Sequence, residues 1–92
     1  MAQYVFTTTE QVSEQIIITP TAGKSIVINT TRMINPGDSG RSAVIMLGTM
    51  PIMTTRPGGG PPAVVCMKGG VDEPVRLSAP VGVTVLISYE EV

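Results

Sequence analysis

Residues 83–90 read VTVLISYE, and their alternation decides the fold class. Val83, Val85, Ile87 and Tyr89 fall on one face of an extended chain, and Thr84, Leu86, Ser88 and Glu90 on the other. A period of two over eight residues is a strand with one buried face. The run SIVIN (25–29) alternates in the same way, with Ile26 and Ile28 together. AVIML (43–47) and AVVCMK (63–68) are continuous apolar runs, as expected of strands covered on both faces. EQIIIT (14–19), QYVFTT (3–8) and PVRLS (74–78) complete seven expected strands.

Composition supports that reading. Val and Ile number 21, Leu only 3, and Thr adds 11. β-Branched side chains lose rotamer freedom in helices and pack well on a pleated surface. Ten Gly and eight Pro punctuate the chain. Short β-rich runs with regular turn signals predict an all-β fold, a small antiparallel β-sandwich or barrel. Pro20-Thr21-Ala22-Gly23, between EQIIIT and KSIVIN, suits a hairpin loop. Only TTTEQVSEQ (7–15) carries a helical hint: Thr7 and Glu10 have capping-box spacing, and Val12 and Ile16 are four apart.

The 92 residues form a single domain, 1–92. A chain this short has a modest core, and small folds are often stapled by disulfides or a metal. Cys66 is the only cysteine and histidine is absent, so neither an intrachain disulfide nor a zinc set is expected, and no cofactor. Cys66 itself, among Val64, Val65 and Met67, reads as a small buried hydrophobe.

Charge is scarce. Lys, Arg, Asp and Glu make up 14% of the chain, against roughly 25% in an average soluble domain. Net charge is −1, in the range that promotes association. The six basic residues are scattered and only three residues are aromatic, which leaves neither a phosphate-neutralising stripe nor a stacking platform, hence no nucleic-acid partner. No apolar run reaches a membrane span, and MAQYVFTTTE has no secretory pattern, so synthesis in the cytoplasm is expected.

GTMPIMTTRPGGGPP (48–62) stands apart. Met50, Ile52 and Met53 are apolar, and Pro57 to Pro62 cannot join a central ladder. It reads as a protruding contact arm; the alternative is a short edge strand at 50–54 followed by a plain loop. Interface candidates from composition are Tyr4, Phe6, Met50, Ile52, Met53 and Arg56.

Several stretches imitate catalytic motifs. Gly37-Asp38-Ser39-Gly40 spells the surroundings of a trypsin-like nucleophile, but no histidine exists to take the serine proton. A serine–lysine pair would need Lys24 or Lys68 desolvated, and both flank strands. Asn35-Pro36-Gly37-Asp38 fits a type II turn instead. AGKS (22–25) lacks the glycine that a phosphate loop requires at position 18 and precedes a strand. Asp72-Glu73-Pro74 reads as a turn and Glu90-Glu91 as a solubilising end. No catalytic residue is expected, and the chain is not read as an enzyme.

The assembled pattern resembles the small β-structured virion proteins of tailed bacteriophages and is most similar to capsid decoration, or cement, proteins. The resemblance rests on the compact chain, the Thr-, Val- and Ile-rich strands, the arm at 48–62 and the ending APVGVTVLISYEEV. It implies a homo-oligomer, often a trimer, that binds the major capsid protein at the virion surface and reinforces the shell. A neck, tail or fibre-attachment protein and a receptor- or glycan-binding module are the alternatives. For the last, Tyr4, Phe6 and Tyr89 are the only rings available.

Overall fold

A computed structural model describes residues 2–35, 41–55 and 63–92, and the side chains of all of these except 63–66. Among the described residues eight strands form: β1 (Ala2–Thr7), β2 (Val12–Ile18), β3 (Ile26–Ile34), β4 (Ala43–Leu47), β5 (Met50–Thr55), β6 (Ala63–Lys68), β7 (Val75–Ala79) and β8 (Thr84–Glu91). They build two antiparallel four-stranded sheets, ordered β1-β8-β3-β6 and β2-β7-β4-β5. The all-β sandwich expected from VTVLISYE is therefore present, with eight strands rather than seven.

The pairing has a simple logic. β1 joins β8, β2 joins β7, β3 joins β6 and β4 joins β5. The chain behaves as one long hairpin, folded at Gly48-Thr49, whose double strand is wrapped so that successive pairs alternate between sheets. β3–β8 and β4–β7 ladders then close each sheet. Eight strands in two wrapped sheets of this order make a jelly roll.

The extra strand is β5, inside the segment expected to protrude. Its register against β4 shifts between Ile45 and Met46, so Met53 lies opposite Ile45 and Pro51 opposite Met46. Ile52 is the added residue of that bulge, which breaks the alternation a strand normally displays. Residues 50–55 are thus a paired edge strand, as in the alternative reading; residues 56–62, including Arg56, lie outside the described residues.

Two further expectations are corrected. Pro20–Gly23 does hold a turn, with Gly23 at φ 81° and Lys24 N–H donating to Thr21 O at 2.9 Å. It is no hairpin, because β2 and β3 belong to different sheets. The segment 7–15 contains no helix. β2 is instead bulged, with Glu14 at φ 49° and its N–H donating to Ser78 Oγ at 2.8 Å. That bulge sets Val12 against the core and turns Ile16 outward, so the two do not share the face that their four-residue spacing suggested.

The core lies between the sheets. One inner face contributes Ile26, Ile28, Met33, Val83, Val85 and Ile87; the other contributes Ile18, Ala43, Ile45, Leu47, Val75, Leu77 and Ala79. Thr31 Oγ1 donates across the sandwich to Met53 Sδ at 3.0 Å. Val44 and Met46 remain half-buried on an outer face, so β4 is fully covered on one side only. Thr8 ties down one end. Its Oγ1 donates to Pro80 O at 2.7 Å and accepts from Val83 N at 3.0 Å, while its own N–H and C=O bond Val83 and Gly82.

Candidate functional site

Among the described residues, the chemistry-like motifs resolve into structural contacts. Asp72, at φ 63°, accepts from Gly23 N at 2.7 Å, and Glu73 accepts from Gly70 N at 2.7 Å. Both carboxylates hold turns, as read. Glu91 does more than solubilise: its oxygens accept from Thr21 N and Thr21 Oγ1 and pin the β2–β3 connection to the end of β8. Lys24 and Lys68 are exposed. Among the described residues no group of three acidic or cysteine side chains is placed to hold a metal, and no helix is long and apolar enough to cross a membrane. Residues 36–40, which hold most of the turn expected at 35–38 and Ser39, and the side chain of Cys66 lie outside the described residues.

What the molecule offers instead is surface. Its accessible area, 4980 Å², is close to the roughly 5,100 Å² expected of a folded monomer of its mass. Val5, Ile16, Ile34, Met50, Val71, Val81 and Val92 are large apolar residues left exposed, the first 63% and the second 49%.

The interface candidates divide between two flanks. Tyr4 and Phe6 sit on β1, half-buried against the core, their rings stacked at 6.3 Å between centroids and 23° between planes. Burial, and secondarily the neighbouring Tyr89, raises the Tyr4 phenol above its ordinary range. Met50 is 48% exposed at the start of β5, while Ile52 and Met53 are half-buried and pack on the core. β1 and β2 are the edges on one flank, joined by residues 8–11; β5 and β6 are the edges on the other. No single arm gathers the candidates.

Sequence reasoning passed over Val5. The signal was available: under the period of two that turns Tyr4 and Phe6 inward, Val5 must point out. It pairs with Leu86, which pairs with Arg32, so these three share the outer face of the β1-β8-β3 sheet. Together with Gln3, Ser88 and Thr30 they line a shallow depression of about 160 Å³. Ile34 lies on the same face one row away, opposite Thr84.

No protein-family model, no curated protein and no solved structure matches this chain.

Proposed function

We propose that this protein is a structural virion component, a decoration or cement protein that binds a capsid shell as an oligomer and stabilises it. One observation carries the reading. Apolar residues stand exposed on both outer faces and on the loops of a chain with 14% charge. With so little charge, few ions oppose association, and repetition on a symmetric shell multiplies weak contacts through effective concentration. The jelly-roll strand order is used by viral capsid domains, and also by lectins and cupins, so it supports the reading as an analogy of fold only.

The same details weigh against the alternatives. A glycan site presents aromatic faces to a sugar, whereas Tyr4, Phe6 and Tyr89 are turned toward the core. An enzyme of the acyl-transfer type needs a general base, and the chain has no histidine.

The test is co-purification with particles. In a density gradient of the native lysate the chain should band with capsids, in a fixed ratio to the major shell subunit. Particles lacking it should break at lower temperature or on osmotic shock. A chain that bands only with free protein, or whose removal leaves particle stability unchanged, contradicts the proposal.

A further inference from the structure

Each sheet ends in two edge strands, and three of the four carry features that block further pairing. β2 has two register irregularities against β7 and holds Glu14 at φ 49°. β5 contains Pro51 and a register shift against β4. β6 shifts register against β3 and ends on Lys68. Bulges, proline and lysine are the devices by which sheet proteins blunt exposed edges.

β1 has none of them. Its residues, AQYVFT, are uncharged and free of proline. They pair with β8 in unbroken register from Ala2–Tyr89 to Thr7–Thr84. The direction of the free hydrogen-bonding groups follows from the next residue. Thr8 N–H donates to Val83 O at 2.9 Å, so position 8 points toward the β8 side. N–H and C=O groups alternate sides along an antiparallel ladder. Ala2, Tyr4 and Phe6 therefore bond β8, and Gln3, Val5 and Thr7 present theirs on the open edge.

We propose that β1 is a docking edge for β1 of a second copy, the two related by a two-fold axis at Val5. In that antiparallel register Val5 bonds the partner's Val5, Gln3 bonds the partner's Thr7, and Thr7 bonds the partner's Gln3. All three open N–H groups of each copy find an acceptor. Tyr4 lies beside the partner's Phe6 on the core side, and cross-strand aromatic pairs stabilise such ladders. The most exposed apolar side chain of the strand meets its own copy on the outer side. No charge on β1 opposes a like charge across the axis. A register centred on Tyr4 is poorer, because it sets polar Gln3 against the partner's Val5 and leaves Thr7 unpaired within the strand.

The result is one continuous eight-stranded sheet, β6-β3-β8-β1 joined to β1-β8-β3-β6, with no unguarded edge. It is a self-complementary contact, so it builds a dimer; a trimer needs a head-to-tail contact instead. One strand edge covers less than the roughly 800 Å² per partner of a standard interface. The dimer is accordingly weak in free solution. The pairing does not depend on what else the protein binds.

Two measurements test it. Val5→Cys and Gln3→Cys proteins, each retaining Cys66, are oxidised mildly in the folded state and the linked peptides mapped. Directly opposed residues lie about 5.5 Å apart between Cα atoms, within disulfide reach. The two copies of residue 3 are four positions out of register on neighbouring strands, roughly 14 Å apart. A 5–5 disulfide with no 3–3 disulfide is expected. Separately, Val5→Pro removes an N–H that faces the open edge and leaves the β8 bonds intact. In sedimentation over a concentration series the unmodified protein should approach twice 9.6 kDa while folded Val5→Pro stays at 9.6 kDa. The proposal is overturned by equal linkage at both positions, or by Val5→Pro dimerising like the parent. A parent that stays monomeric to about 1 mM, where specific contacts become marginal, overturns it as well.

Discussion

Replacing Thr8 with valine should cost more stability than any other single-atom-scale change outside the core. The side chain is 2% exposed, and valine matches its shape. Its hydroxyl serves two backbone groups at once, accepting from Val83 N at 3.0 Å and donating to Pro80 O at 2.7 Å. Both belong to the turn that launches β8, the strand on which β1 and β3 are laid. Each buried group left without its partner costs about 1–3 kcal/mol, which gives roughly 2–6 kcal/mol for the pair. For a domain of this size that corresponds to a fall in Tm of roughly 10–30 °C. Thr8→Ser keeps the hydroxyl and loses a methyl, so it should cost only about 0.8 kcal/mol. Urea unfolding followed by circular dichroism measures both. The reasoning is refuted if Thr8→Val lies within about 0.5 kcal/mol of the parent, the range of neutral surface changes, or if the serine variant is equally damaged.

Three further outcomes follow from other parts of the molecule. Gly23 and Gly48 both have positive φ, but an added Cβ meets nothing at Gly23 and collides with the Glu73 carboxylate at Gly48. Gly23→Ala should therefore cost about 1–2 kcal/mol of backbone strain, and Gly48→Ala about 1 kcal/mol more, for the Gly70 bond that the displaced Glu73 carboxylate gives up, by the same urea assay; equal losses would contradict the role of Glu73. Burial favours the neutral Tyr4 phenol, so the fold keeps this contribution below the ordinary value of 10.0 and loses it as pH rises through the higher folded value. Tyr4→Phe should flatten the alkaline loss of stability seen in melts between those values, and an unchanged slope would contradict it. Glu91→Ala frees both Thr21 bonds, and faster hydrogen exchange confined to the β2–β3 connection is expected.

The sequence made the strands legible where a single face is buried and the ladder is regular. VTVLISYE and SIVIN show this: Val85, Ile87, Ile26 and Ile28 are all core. It failed where a bulge breaks the period. Ile52 hid β5, and the bulge at Glu14 left β2 without a strand's alternation, so that its four-residue spacing read as helical. Turn chemistry located Pro20–Gly23 but could not say which sheet the next strand joins, because a hairpin and a crossing between sheets use the same local conformations. Topology of this kind is decided by pairings such as β1 with β8, which join the two ends of the chain and leave no local trace. At the candidate surface, composition singled out Tyr4 and Phe6, which pack against the core, while the exposed member of that strand is their neighbour Val5.

The proposed function and the proposed dimer both rest on reading this exterior, poor in charge, as a contact surface. Light scattering of the unmodified protein over a wide concentration range addresses that directly. A mass that climbs above 9.6 kDa with concentration is expected, and high salt should not dissociate the larger species, since few charges are available to hold it. One unchanging 9.6 kDa species, freely soluble at every concentration, contradicts the account.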